Sequence, residues 1–160
     1  MDKNNIYQEY GDFIFKYLFT LTNDFHAAEE LTQETFYQAI KSIHNFHSNG
    51  KAKFSTWLCS IAKNVWLQEI NRENKKQQLV ESLSNESEKF TSVEDVYIRS
   101  EDKLDFFKKA RQLNDVKREI VYLRLLGDLS FKEIGIIFGK TENWARVTFY
   151  RAKQELRKGE

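Results

Sequence analysis

The stretch "SFKEIGIIFGKTENWARVTFYRAKQELRK", Ser130 to Lys158, decides how the rest of the chain is read. Ser130 with Glu133 three residues on is a capping-box pattern: the hydroxyl oxygen accepts from a free N–H of the first turn while the carboxylate reaches back to the cap's own N–H. A helix is therefore predicted to begin here. Phe131, Ile134, Ile137 and Phe138 follow at helical spacing, and Gly139 ends the run with the residue that best tolerates a left-handed C-terminal cap. Thr141 starts a second helix. In it Ala145, Thr148, Phe149, Ala152 and Leu156 form one inward stripe, while Asn143, Arg146, Tyr150, Arg151 and Lys153 lie off it. A short helix, a tight turn and a longer helix with arginines on its outer face is the geometry that sets the second helix in a DNA major groove.

Immediately upstream, Val116, Ile120, Leu123 and Leu126 predict the inward side of a helix from about Asp115 to Leu126, closed by Gly127. Before it, Leu104, Phe107, Ala110 and Leu113 carry a helical rhythm from Glu101. Residues 100–160 thus make a four-helix unit that is small but viable by size. The preceding stretch loses periodicity and is rich in Ser, Glu, Gln and Asn, which makes 77–99 a flexible linker. Extended, a linker of this size reaches on the order of 80 Å. Two folded units could then sit well apart.

Residues 1–76 form the other unit. Ile6, Tyr10, Phe13, Ile14, Tyr17, Leu18 and Leu21 keep the helical rhythm for about four turns, and Thr22, Asn23 and Asp24 break it, where Asn or Asp can cap the helix that follows. From Asp24 to Asn45 the inward stripe is Ala28, Leu31, Thr35, Phe36, Ala39, Ile40 and Ile43. Its outer face is a run of carboxylates and amides, Glu29, Glu30, Gln33, Glu34 and Gln38, opposed only by Lys41. Such a face is either a solvated surface or one built for a partner. Phe46 to Lys53 reads as a loop, and Ser55 and Thr56 sit near the start of a third helix whose buried side is Phe54, Trp57, Leu58, Ile61, Ala62 and Val65. Beyond them Lys63, Asn64, Trp66, Gln68, Asn71, Arg72, Lys75 and Lys76 place amides, an indole and cations on one helix. An unstacked base needs that combination: a ring to stack on, hydrogen bonds for its edge and charge for its backbone. Alternatively Trp66 is core and the basic tail a solvated helix end.

A hydrophobic content of 41% and the complete absence of proline favour a folded, helix-rich chain over disorder or β-structure. Net charge is only +1, but it is unevenly spread. Lys51 to Lys76 holds six basic and two acidic residues, Lys132 to Lys158 seven and three, and Glu81 to Asp105 three and eight. Two basic segments flanking an acidic one suggest two nucleic-acid contacts with a connector kept off the phosphates. Cys59 is the only cysteine, so no intrachain disulfide can form. No signal peptide and no membrane-length apolar run is read, which leads us to expect a cytoplasmic protein without membrane insertion. His26, His44, His47 and Cys59 fit no zinc spacing, and neither a Gly-rich phosphate loop nor a nucleophile with a recognisable base is present. An enzyme, a metal site and a cofactor are not expected.

Three stretches then fall into one order: "AAEELTQETFYQAI" from Ala27, "FSTWLCSIAKN" from Phe54, and "REIVYLRLLGDLSFKEIGIIFGK" from Arg118 followed by "RVTFYRAKQEL" from Arg146. In this order the chain resembles, over nearly its whole length, the extracytoplasmic-function (ECF) sigma factors, specificity subunits of bacterial RNA polymerase. The resemblance implies an all-α fold of two small helical domains. A region 2-like bundle (1–76) binds core polymerase and recognises the −10 element; a region 4-like helix-turn-helix domain (100–160) recognises the −35 element. It further implies that Glu29, Glu30, Gln33 and Glu34, supported by Phe36, dock on the clamp helices of the largest polymerase subunit, and that the second domain meets the flap of the second-largest. Lys63, Asn64, Trp66, Gln68, Asn71 and Arg72 would serve −10 DNA; Asn143, Arg146, Val147, Tyr150 and Arg151 would serve −35 DNA. An anti-sigma protein and a stress- or envelope-responsive set of promoters are implied as well. Trp144 and Ala145 stand where the family usually has Thr-Val, and Gly135 stands for a usual alanine. The alternative is a stand-alone helix-turn-helix regulator, which leaves the Glu30, Gln33 and Glu34 face without a purpose.

Overall fold

A computed structural model gives the architecture and describes residues 3–46, 53–79 and 108–158. The loop expected between Phe46 and Lys53, the helical rhythm from Glu101 to Phe107 and the expected linker 77–99 from residue 80 on lie outside those residues, while its first three residues, 77–79, continue the third helix. The chain runs α1 (Lys3–Thr22), α2 (Phe25–Lys41), a 3-10 turn (Ile43–Asn45), α3 (Phe54–Leu79), α4 (Asp115–Leu125), α5 (Phe131–Phe138) and α6 (Glu142–Lys158). No strand occurs among the described residues, so the fold is all-α.

Local chemistry sets the boundaries. Between α1 and α2, Asn23 takes a left-handed φ of 54°, a conformation Asn accepts more readily than most residues. Asp24 then caps α2, its carboxylate accepting from the N–H groups of His26 and Ala27 at 3.0 and 3.3 Å. α2 stops at Lys41, short of the expected Asn45, because the chain tightens there into the 3-10 turn. α1, α2 and α3 close over Ile14, Leu18, Ala28, Leu31, Phe36, Leu58 and Ala62, all buried.

In the second half, Asn114 caps α4 through the N–H of Lys117 at 2.9 Å. The guanidinium of Arg118 donates to the carbonyls of Ala110 and Leu113, which ties the preceding turn to α4. Two details differ from the sequence reading. Val116, expected inward, is 43% exposed, and the buried side of α4 is instead the unbroken run Glu119, Ile120, Val121, Tyr122 and Leu123. A helix can bury five successive residues only when it is covered on more than one side, here by its own half and by α1. The left-handed residue after α4 is Asp128, with φ 55°, rather than Gly127. Gly127 is required for room: a Cβ there would lie 2.7 Å from the Leu123 carbonyl oxygen and 2.8 Å from the Phe13 ring.

The two halves are packed against each other. Tyr122 stacks on Phe13 and Tyr17 with centroids 5.6 and 6.2 Å apart, and its hydroxyl donates to the Phe13 carbonyl at 2.8 Å. The Tyr17 hydroxyl donates to Glu119 at 3.2 Å, and the Thr56 hydroxyl to Glu133 at 2.5 Å. Buried side chains from both halves join in one continuous core. Units that the sequence reading allowed to sit far apart are thus in direct contact.

Glu133 serves both levels of structure. One carboxylate oxygen completes the capping box by accepting from the Ser130 N–H at 3.2 Å, while the other meets Thr56 across the interface. Burial works against its charge, but the hydrogen bonds from Thr56 and Ser130 and the nearby Lys53 ammonium prevail and hold its carboxyl below the usual value. A carboxyl depressed by folding adds stability above its unfolded pKa, and this is lost as pH falls through the folded one. Thr56→Val is therefore expected to cost about 1.5–3 kcal/mol near neutral pH, with the deficit shrinking on acidification through the carboxyl range. Denaturant titrations at several pH values measure it, and a pH-independent deficit contradicts the assignment.

Candidate functional site

The outer face of α6 is assembled by the turn before it. Gly139 adopts φ 65°, as its place after the apolar run predicted. Gly135 lets the backbone of the turn pass close to α5: a Cβ at this position would lie 2.8 Å from the Lys140 carbonyl oxygen and 3.0 Å from that of Thr141. The Thr141 hydroxyl accepts from the Trp144 N–H at 3.0 Å and so caps α6. The Trp144 ring, without a purpose in the sequence reading, packs on Phe138 with centroids 5.2 Å apart and fixes the start of α6 against the end of α5. From this base Asn143, Arg146, Val147, Tyr150 and Arg151 all project as exposed residues, while Ala145, Phe149 and Ala152 are buried beneath them. Arg146 bonds Glu142 one turn back at 3.2 Å and lies 5.5 Å from the centre of the Phe131 ring. Five adjoining side chains therefore offer amide, guanidinium, phenol and apolar surface on one ridge, which suits reading base edges and holding phosphates.

On α2, Glu29, Glu30, Gln33 and Glu34 are exposed as expected, and the Gln38 amide donates to Glu34 at 3.0 Å. Phe36 lies beneath this face at 4% exposure, its ring edge-on to Tyr7 at 5.2 Å, so it supports the surface and is not part of it. An open groove of about 510 Å³ runs between α2 and α3, with Glu30 and Glu34 on one wall and Gln68, Glu69, Arg72 and Glu73 on the other. Arg72 pairs with Glu69 at 2.5 Å within that wall.

The residues singled out on α3 divide into two groups. Asn64, Gln68, Asn71 and Arg72 are exposed, and Trp66 is half-buried against the core, so neither reading of the indole alone describes it. Lys63 points the other way, into the interface. Its ammonium lies 2.8 and 2.7 Å from the two carboxylate oxygens of Glu119, 4.0 Å from the centre of the Phe138 ring and 5.8 Å from that of Trp66. Glu119 is almost fully buried, and burial pushes its carboxyl up from the usual value while the Lys63 charge and the bonds from Lys63 and Tyr17 pull it back. Burial, and next the Glu119 charge, push the Tyr17 phenol well up, so it remains a hydrogen-bond donor. Reading the sequence missed Glu119, Tyr17 and Tyr122 as functional candidates. A carboxylate inside the apolar run "EIVYL" was the available sign. His26 and His44 are exposed and Cys59 is fully buried, its thiol pushed well up by that burial.

Residues 6–76 match the family model for sigma-70 region 2. The chain is 31% identical over 154 residues to the ECF RNA polymerase sigma factor BldN of Streptomyces coelicolor, covering 94% of this chain and 57% of BldN. It is 28% identical over 157 residues to the ECF RNA polymerase sigma factor SigM of Bacillus subtilis, covering 98% of this chain and 94% of SigM. The chain belongs to the ECF sigma factors. This sigma factor is also 29% identical to the RNA polymerase sigma factor YlaC of Bacillus subtilis, over 96% of its own length and 89% of YlaC. Its fold is that of the sigma factor RpoE of Bartonella quintana, solved in complex with the anti-sigma factor NepR, with a TM-score of 0.74 and 20% identity over 96% of this chain and 95% of that one. Among the described residues, no helix of this sigma factor is long and apolar enough to cross a membrane.

Because the Trp144–Phe138 contact sets the start of α6, Trp144→Thr is expected to destabilise this sigma factor by about 1–2 kcal/mol, and Trp144→Phe by clearly less. Thermal or denaturant unfolding of the two variants checks this, and equal stability of the Thr and Phe variants contradicts it.

Proposed function

We propose that this protein directs bacterial RNA polymerase core to specific promoters and starts transcription there, through binding and DNA remodelling rather than covalent catalysis. Its place of action is the cytoplasm, where the polymerase works. The first half (1–76) engages the clamp helices of the largest subunit through Glu29, Glu30, Gln33 and Glu34, with Phe36 supporting the face from below. Along α3, Asn64, Trp66, Gln68, Asn71 and Arg72 serve the −10 region, while Lys63, expected among them, is turned inward to Glu119 and is left out of this face. Everting a base costs a few kcal/mol, which hydrogen bonds and stacking on this helix offset. The second half (100–160) lays α6 in the major groove of the −35 element, with Asn143, Arg146, Val147, Tyr150 and Arg151 as its contacts, and meets the polymerase flap. The segment 77–99 connects the two, and an anti-sigma protein is a further partner.

The exposed carboxylate–amide face of α2 carries this reading, since a regulator acting through a helix-turn-helix alone has no use for it. Run-off transcription with purified core polymerase tests it. The chain with core should yield transcript from a cognate promoter; a chain that shifts DNA yet never supports initiation with a bacterial core is a regulator instead. Reversing charge in Glu30→Lys/Glu34→Lys is expected to weaken core binding, read by competition or surface capture, while −35 duplex binding is unchanged. Equal loss of both refutes the division of labour. Arg151→Ala is expected to lower −35-dependent initiation and to reduce the salt slope of duplex binding by about one for a lost phosphate contact. An unchanged slope and rate remove Arg151 from the reading face.

A further inference from the structure

The middle of α3 holds no cation that is free to take a phosphate. Lys63 is answered by Glu119 at 2.7 Å and Arg72 by Glu69 at 2.5 Å. Gln68 and Arg72 also line the groove that Glu30, Glu34, Glu69 and Glu73 make acidic, and four carboxylates repel a DNA backbone. What α3 offers beside that groove is a neutral strip. Asn64 and Asn71 are exposed two turns apart, and Leu67 lies between them on the same side, 42% exposed. Val65 and Trp66, just before it, are respectively in the core and packed against it, whereas Leu67 belongs to neither group.

Two amides with an exposed isobutyl group between them suit one chemistry. Phosphate contacts position a strand, and base contacts give it identity. An amide both donates to and accepts from a base edge, and an apolar side chain finds its match on the one base that carries a methyl group, thymine. A strip without charge therefore suits a base and gives a phosphate nothing to hold.

We infer that Asn64, Leu67 and Asn71 form a thymine-reading strip on α3, in which the Leu67 side chain covers the thymine methyl group and the two amides meet the edge of the base. This rests on the assignment of α3 to the −10 element. Single-stranded oligo(dT) and oligo(dU) differ only in that methyl group, and both are titrated into the full chain bound to purified core polymerase, with core alone in parallel. The complex should favour oligo(dT) about fourfold beyond any preference of core alone, the worth of one buried methyl group. Leu67→Ala should bring the ratio down to that of core alone, and Leu67→Met should keep it. Ile136→Ala, which removes a comparably exposed apolar side chain from α5, should keep it as well. A general loss of folded chain weakens both strands alike and leaves the ratio unmoved. A wild-type ratio no greater than that of core alone overturns the inference, as does an unchanged ratio in Leu67→Ala or an equal fall in Ile136→Ala. If the chain does not associate with core, the promoter-specificity reading falls, and the same titration of the chain alone decides the strip.

Discussion

A carboxylate almost removed from water needs its charge answered, and Glu119 has it answered from the other half of the chain. Lys63 supplies the counter-charge and Tyr17 a further donor, so the buried centre of α4 is satisfied only while α1 and α3 lie against it. Removing one member of such a pair leaves the other buried and unpaired, which is costly, whereas separating the halves returns both to water together. This asymmetry lets one polar contact set the register of the two halves. Phe13, Tyr17 and Tyr122 stack around it, and Gly127 is kept free of a side chain so that Phe13 can approach.

The exposed faces of this frame differ in their chemistry. The α2 surface is acidic and amide-rich and has its hydrophobic support, Phe36, underneath. The α6 ridge is cationic and aromatic, and it is positioned by a turn in which Gly135, Gly139, Thr141 and Trp144 each have a local task. Between them α3 carries amides and cations outward along most of its second half but turns Lys63 inward. All three faces are exposed in the packed chain, with Lys63 the member of the α3 group that the packing turns away from solvent.

Much of this was legible in the residues. The Ser130–Glu133 box, the Gly139 cap and the Asp24 cap follow from short-range backbone needs, and each appears where the chain's own pattern put it. The run of five buried residues Lys16 to Thr20 on α1 was not foreseen, whereas the helical stripes on α2, α3 and α6 were clear because each has one face to bury. α4 was not, since a helix covered on two sides shows no single stripe, and Val116 was therefore misassigned while Glu119 and Tyr122 were overlooked. The Lys63–Glu119 pair joins residues 56 positions apart, a relation no local pattern carries. Trp144 likewise gains its meaning only from Phe138, which the turn brings beneath it.

Two halves that share one buried core and a proposed reach over two promoter elements make opposite demands on the distance from α1 to α6. Spin labels placed on α1 and α6 and read by pulsed dipolar spectroscopy measure this directly, in the free protein and bound to core polymerase on promoter DNA. A single short distance that lengthens by tens of ångströms in the complex is the expected result, given elements roughly 60 Å apart. The same short distance in both states, in a complex that still makes transcript, contradicts it.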